Sequence, residues 1–125
     1  MSSLSLSTLF RSERFPLIGV IHLPALPGDP VAPVERTYQE VYDFALRDAH
    51  ALINGGVSGL IVENFGSSPF YKGTQGHRIP PHQLAAMTIV CNEIKKRYPH
   101  CILGVNCLRN DAYSCLLYTS PSPRD

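Results

Sequence analysis

Three short aliphatic runs set the limits on this fold. They are Leu17 to Ile21, Leu60 to Val62 and Ile102 to Val105, and a longer segment of helical period separates each pair. The step from Ile18 to Leu60 equals the step from Leu60 to Ile102. Within residues 34–54, Tyr38, Val41, Tyr42, Ala45, Ala49, Leu52 and Ile53 recur at spacings of three and four, which makes one apolar helical stripe. Glu35, Glu40, Asp43, Arg47 and Asp48 lie mainly off that stripe, and Gly55 and Gly56 supply a left-handed stop. Residues 83–98 repeat the pattern with Leu84, Met87, Val90, Cys91 and Ile94, and Pro99 ends that segment. The first of these runs, Leu17 to Ile21, suits a strand buried on both faces. Strand, helix, strand, helix, strand implies parallel pairing with right-handed crossovers.

Two α/β architectures fit this layout: an open doubly wound sheet, or part of a (β/α)8 barrel. The glycine fingerprints of dinucleotide and nucleotide sites do not follow the first strand. Pro24, Pro27, Gly28, Asp29 and Pro30 make a stiff loop there instead. A whole barrel needs about 250 residues, and this chain has 125.

Composition narrows the partners. Eleven Lys and Arg against ten Asp and Glu give a net charge of +1. This offers no basic excess for a nucleic-acid binder and no polybasic membrane anchor. No apolar run approaches the roughly 20 residues of a membrane span. Cys91, Cys101, Cys107 and Cys115 form no C-x-x-C pair and have no histidine pair at metal spacing, so they read as buried reduced thiols of an intracellular protein, with no metal site expected. Residues 1–16 read as a leader. They carry Ser, Leu, Phe and Arg with a single acid, a composition that fits a frayed polar start or a mitochondrial transit peptide. The cytoplasm is the first expectation for location and the mitochondrion the alternative.

In parallel α/β proteins the chemistry gathers at the carboxyl ends of the strands. Here that edge carries His22, Glu63, Asn64, Asn106, Arg109, Asn110 and Asp111, while the opposite edge offers little beyond Asn54, Gly55 and Tyr98. His22, Asn64 and Asn106 share one step and are expected in the same phase. His22 fits a general base or metal ligand, since imidazole titrates near neutral pH; it equally fits a donor to a backbone carbonyl. Glu63 fits a general acid or base, because a carboxylate beside a buried strand is costly unless partnered. Pairing with Lys72 or Arg109 is its plainer reading. Asn64 and Asn106 fit substrate binding. Arg109 fits an anionic substrate group, and a solvated arginine fits as well. Asn110 and Asp111 fit either the site or the cap of the next helix, with the cap ahead for Asp111. Lys72, His77, Arg78 and His82 lie in the long second loop and read individually as exposed polar residues. Tyr38, Tyr42 and Met87 read as core.

Three motifs in order carry a resemblance. His22 to Gly28 matches H-L-x-x-L-P-G, residues 55–65 match G-G-V-x-G-x-x-V/I-E-N-F, and residues 104–111 match G-V-N-x-L-R-N-D. With these the sequence resembles the BtpA family, except that Ser67 stands where the family often has Asp. The resemblance implies a TIM (β/α)8 barrel of the ribulose-phosphate-binding type, of which residues 17–114 would supply about three βα units. The family is named for a role in photosystem I biogenesis, and other members are labelled as nucleosidases or sugar-metabolism proteins. It therefore implies a parent enzyme acting on a small sugar phosphate or nucleoside-like molecule, or a non-catalytic assembly factor. It assigns no cofactor and leaves a homo-oligomer open. On this reading His22, Glu63 and Asp111 are the catalytic candidates, and Asn64, Asn106, Arg109 and Asn110 the substrate-binding ones. Residues 115–125 resemble one reading frame of a sequencing adapter or a Ser/Pro tail. The expectation is an inactive, poorly soluble fragment.

Overall fold

The computed structural model describes residues 5–10 and 15–119. Residues 1–4, 11–14 and 120–125 lie outside that description, and with them much of the expected leader and the end of the expected tail. The elements run α1 (Leu6–Leu9), β1 (Ile18–His22), α2 (Tyr38–Asn54), β2 (Gly59–Glu63), α3 (Pro81–Arg97), β3 (Ile102–Asn106) and α4 (Ala112–Thr119). The fold class is α/β: the three strands form one parallel sheet in the order β1-β2-β3. The last helix includes residues 115–119, the start of the stretch read as a tail.

Local chemistry explains the boundaries. A helical stripe can be drawn from residue 34, yet α2 starts at Tyr38 because Thr37 caps it: the Thr37 hydroxyl accepts from the Glu40 amide, and the Glu40 carboxylate accepts from the Thr37 amide. This capping box satisfies two otherwise orphaned donors. Val34 stays fully exposed. At the other end Gly55 is still right-handed, and Gly56, with φ of 95°, makes the left-handed stop. Pro81 opens α3, where its missing N–H costs nothing.

The core lies on one side of the sheet. Ile21, Leu60 and Val62 pack against Val41, Ala45 and Ala49 of α2 and Met87, Val90 and Ile94 of α3, with Leu103 and Val105 of β3 beside them. Tyr42 joins the core partly, whereas Tyr38 stays outside it, 37% exposed, and stacks on Tyr42. Gly19 lies close under α2: a Cβ would stand 3.0 Å from the Leu52 side chain, which would have to give by a few tenths of an ångström. The other face carries Ile18, Val20, Ile61 and Ile102 and, among the described residues, receives no helix of comparable length. Ile18 and Val20 remain 42% and 40% exposed. The expected burial on both faces therefore fails for β1, whose residues alternate between exposed and buried. Leu9 and Phe10 reach this face at its amino-terminal end and line a cavity of about 760 Å³ with Ile18, Ile61 and Ile102.

Candidate functional site

Register decides which polar residues meet. The sheet pairs His22 with Glu63 and Glu63 with Asn106. The equal-step expectation grouped His22 with Asn64 and Asn106; the ladder corrects it by one residue in β2. Side chains alternate along a strand, so a one-residue slip sends Glu63 to the bare face and Asn64 to the helix face.

The row His22, Glu63, Asn106 is joined through the central carboxylate. Glu63 Oε2 lies 3.1 Å from His22 Nε2, and Oε1 accepts from Asn106 Nδ2 at 2.7 Å. Phe65 stacks on the imidazole with centroids 4.3 Å apart. The His22 side chain is 50% exposed and that of Glu63 18%. The carboxylate is thus shielded and oriented while the ring stays open to a reactant. Glu63 takes neither Lys72 nor Arg109 as its ion-pair partner among the described residues. A carboxylate that accepts from an imidazole fixes which ring nitrogen carries the proton, which suits proton transfer.

Asn64 serves the loops. It is fully buried. Its Nδ2 donates to Gln83 Oε1 and to the Leu108 carbonyl, both at 3.0 Å, and its Oδ1 accepts from the Leu108 amide at 2.6 Å. Asp111 is also fully buried. Its oxygens accept from the Ile79 amide at 2.9 Å, the Ser114 amide at 3.0 Å and Arg78 Nη1 at 3.1 Å. Burial raises the Asp111 pKa, but these hydrogen bonds outweigh it and hold the carboxyl below its ordinary value. Asp111 thus caps α4, as weighed in the sequence, and also ties α4 to the second loop.

Arg109 and Asn110 form the turn between β3 and α4. Both are exposed, and Asn110 adopts a left-handed φ of 58°, which asparagine tolerates. The Arg109 amide donates to the Tyr71 carbonyl at 3.3 Å. Gly73 packs so close to this turn that a Cβ would stand 2.5 Å from the Arg109 carbonyl. Among the described residues Arg109 makes no ion pair.

A second polar group escaped the sequence reading. Asp29, in the loop after β1, accepts from the Leu26 amide and His82 Nε2, both at 2.7 Å, from Gln83 Nε2 at 3.1 Å, and from the Ser67 hydroxyl. Burial raises the Asp29 pKa too; the hydrogen bonds, led by those from Ser67 and His82, overcome it and leave the carboxyl below its ordinary value. The only sequence signal was an acid lodged in a proline-rich turn. Apart from Leu26, three residues away, its partners Ser67, His82 and Gln83 sit 38 to 54 residues away, beyond any local pattern.

Among the described residues no His, Cys, Asp and Glu cluster is suited to a metal ion. No described helix is long and apolar enough to cross a membrane. The four cysteines are unbridged, and Cys91, Cys107 and Cys115 are buried. Burial pushes the Cys91 thiol up to about 12, with the neighbouring Cys115 adding to it, and raises Cys107 as well.

Comparison with known proteins points the same way as the motifs. An uncharacterised protein of Pyrococcus furiosus is 44% identical over 105 residues, covering 82% of this chain and 37% of its own length. The photosystem I biogenesis protein BtpA of Synechocystis is 40% identical over 111 residues, covering 84% of this chain and 34% of its own. An uncharacterised mitochondrial protein of Caenorhabditis elegans is 29% identical over 108 residues, with coverages of 82% and 36%. The chain thus spans about a third of the length of the curated relatives it matches. No solved structure matches it. Residues 13–121 match the profile of the BtpA family, so the chain belongs to that family.

Proposed function

We propose that this chain forms about three βα units of a (β/α)8 barrel, of the ribulose-phosphate-binding type, whose strand ends carry proton-transfer chemistry on a small sugar phosphate or nucleoside-like molecule. Residues 17–114 would be barrel and residues 1–16 a leader. Consecutive strand order and helices packed on one face support the barrel. A doubly wound sheet reverses its strand order and covers both faces.

The observation that carries the chemistry is the His22–Glu63–Asn106 row on the uncovered face. His22 is the proton carrier open to the reactant, Glu63 orients it, and Asn106 holds Glu63. Asn64 and Asp111 position the loops, while Arg109 and Asn110 stand exposed at the rim for an anionic or polar substrate group. A small-molecule partner suits this rim; a homo-oligomer, an intracellular location and the cytoplasm belong to the same proposal. The mitochondrion is the alternative, and the name of the Caenorhabditis elegans relative favours it.

A second reading is a non-catalytic assembly or stability factor. The name of the Synechocystis relative favours it. A metabolite screen by thermal shift on the full-length protein, followed by turnover of any hit, separates the two. On the catalytic reading Glu63→Gln lowers kcat by about 10²–10⁴-fold with little change in KM. Unchanged turnover in that variant rules out the acid–base role. Co-purification with a protein complex, without any small-molecule response, selects the assembly reading.

A further inference from the structure

A cavity of about 580 Å³ opens between the loops after β1 and β2 and the start of α3. That lies within the roughly 300–1,000 Å³ of small-molecule sites. It is separate from the His22–Glu63 row and does not depend on how that row is read.

The single acid on its wall is Asp29. The Asp29 side chain is 1% exposed, and its two oxygens already accept four hydrogen bonds, from Leu26, Ser67, His82 and Gln83. It therefore offers a ligand almost no accessible negative charge. What it does is hold His82, which stays 30% exposed at the cavity wall with Nε2 fixed toward the carboxylate. Lys72 and His77 line the same space. Lys72 is exposed and has no ion-pair partner among the described residues. Lys72 supplies the accessible fixed charge of the cavity, which is cationic, and His77 and His82 add to it only when protonated. Its remaining wall includes the rings of Phe70 and Tyr71.

We propose that this cavity is a binding site for a small organic phosphomonoester, with the phosphate held by Lys72 and by the Nδ1–H of a doubly protonated His82, braced through Nε2–H on Asp29, and a flat or ring-bearing body against Phe70 and Tyr71. The cavity exceeds what a free phosphate fills, and the two rings give the excess space an apolar lining. A charged head and an apolar body would each add to affinity.

The test is calorimetric titration of the full-length protein with phenyl phosphate, inorganic phosphate and phenol. Phenyl phosphate should bind at least about tenfold more tightly than either of its parts. Lys72→Met should weaken phenyl phosphate about tenfold and leave phenol unchanged. His82→Gln should do the same; far-UV circular dichroism checks that it folds, and exposed Lys72 supplies a variant that leaves the Asp29 network intact. Wild-type affinity in Lys72→Met overturns the proposal. So does phenol matching phenyl phosphate, phosphate alone matching it, or no saturation in the millimolar range.

Discussion

Two carboxylates, Asp29 and Asp111, govern this protein at the scale of single residues. Each is buried, and each carries a folded-state pKa below the ordinary aspartate value of 3.8. A depressed folded pKa means that the unfolded chain binds the proton more readily. Their stabilisation is therefore complete above the ordinary value and is lost as pH falls below 3.8 through the lower folded values. Asp111→Asn should cost about 2–3 kcal/mol at neutral pH. It should also flatten the acid limb of stability, as read by urea unfolding from pH 7 downward. A mutant whose acid limb is as steep as the wild type would contradict this assignment. The thiols give a second residue-scale check. Buried Cys91 and Cys107 should resist iodoacetamide until the chain unfolds, because burial keeps them protonated. Rapid alkylation of both in native buffer would show them open to solvent.

Between elements, caps and close approaches decide the geometry. The Thr37–Glu40 box fixes where α2 begins. Thr37→Ala should cost about 1 kcal/mol in chemical denaturation, with no change in the denaturant slope. Gly66 marks the contact between the loops after β1 and β2. A Cβ there would stand 2.5 Å from the Ala25 amide nitrogen and 2.6 Å from the Leu23 carbonyl oxygen, both of them backbone atoms that cannot swing aside. Gly66→Ala should destabilise by more than about 2 kcal/mol and disturb the Ser67–Asp29 bond next to it. A near-neutral melting temperature would mean the loops separate easily. The existence of the elements was legible in the sequence, because periods of two and 3.6 are local properties of a chain. The T-x-x-E start signal at Thr37 also stands in the sequence, but it falls inside the helical period drawn from residue 34. The Gly66 contact was not legible, because nothing near a glycine in sequence tells which backbone will approach it.

At the scale of the whole molecule, the sheet has an apolar face that the described residues leave largely uncovered. Phe15 and Leu17 are 77% and 66% exposed beside Ile18 and Val20. The outer edges of β1 and β3 have no strand partner among the described residues and so present open hydrogen-bonding edges. Isolated residues 1–125 should therefore associate with rising concentration in light scattering and melt broadly. A sharp, concentration-independent melt of a monomer would show that this face needs no partner surface, and the barrel proposal would lose its main physical motive.

The sequence by itself determined the alternation of strands and helices, the helical core stripes, the carboxyl-end edge of the strands along which the polar residues fall, and the family motifs. These depend on periodicity and on neighbours along the chain. Only the tertiary structure decided that Glu63 rather than Asn64 joins His22 and Asn106, and that Asn64, Asp111 and Asp29 are buried in loop networks. Strand register and burial join residues dozens of positions apart, and a slip of one residue reverses which face a side chain meets.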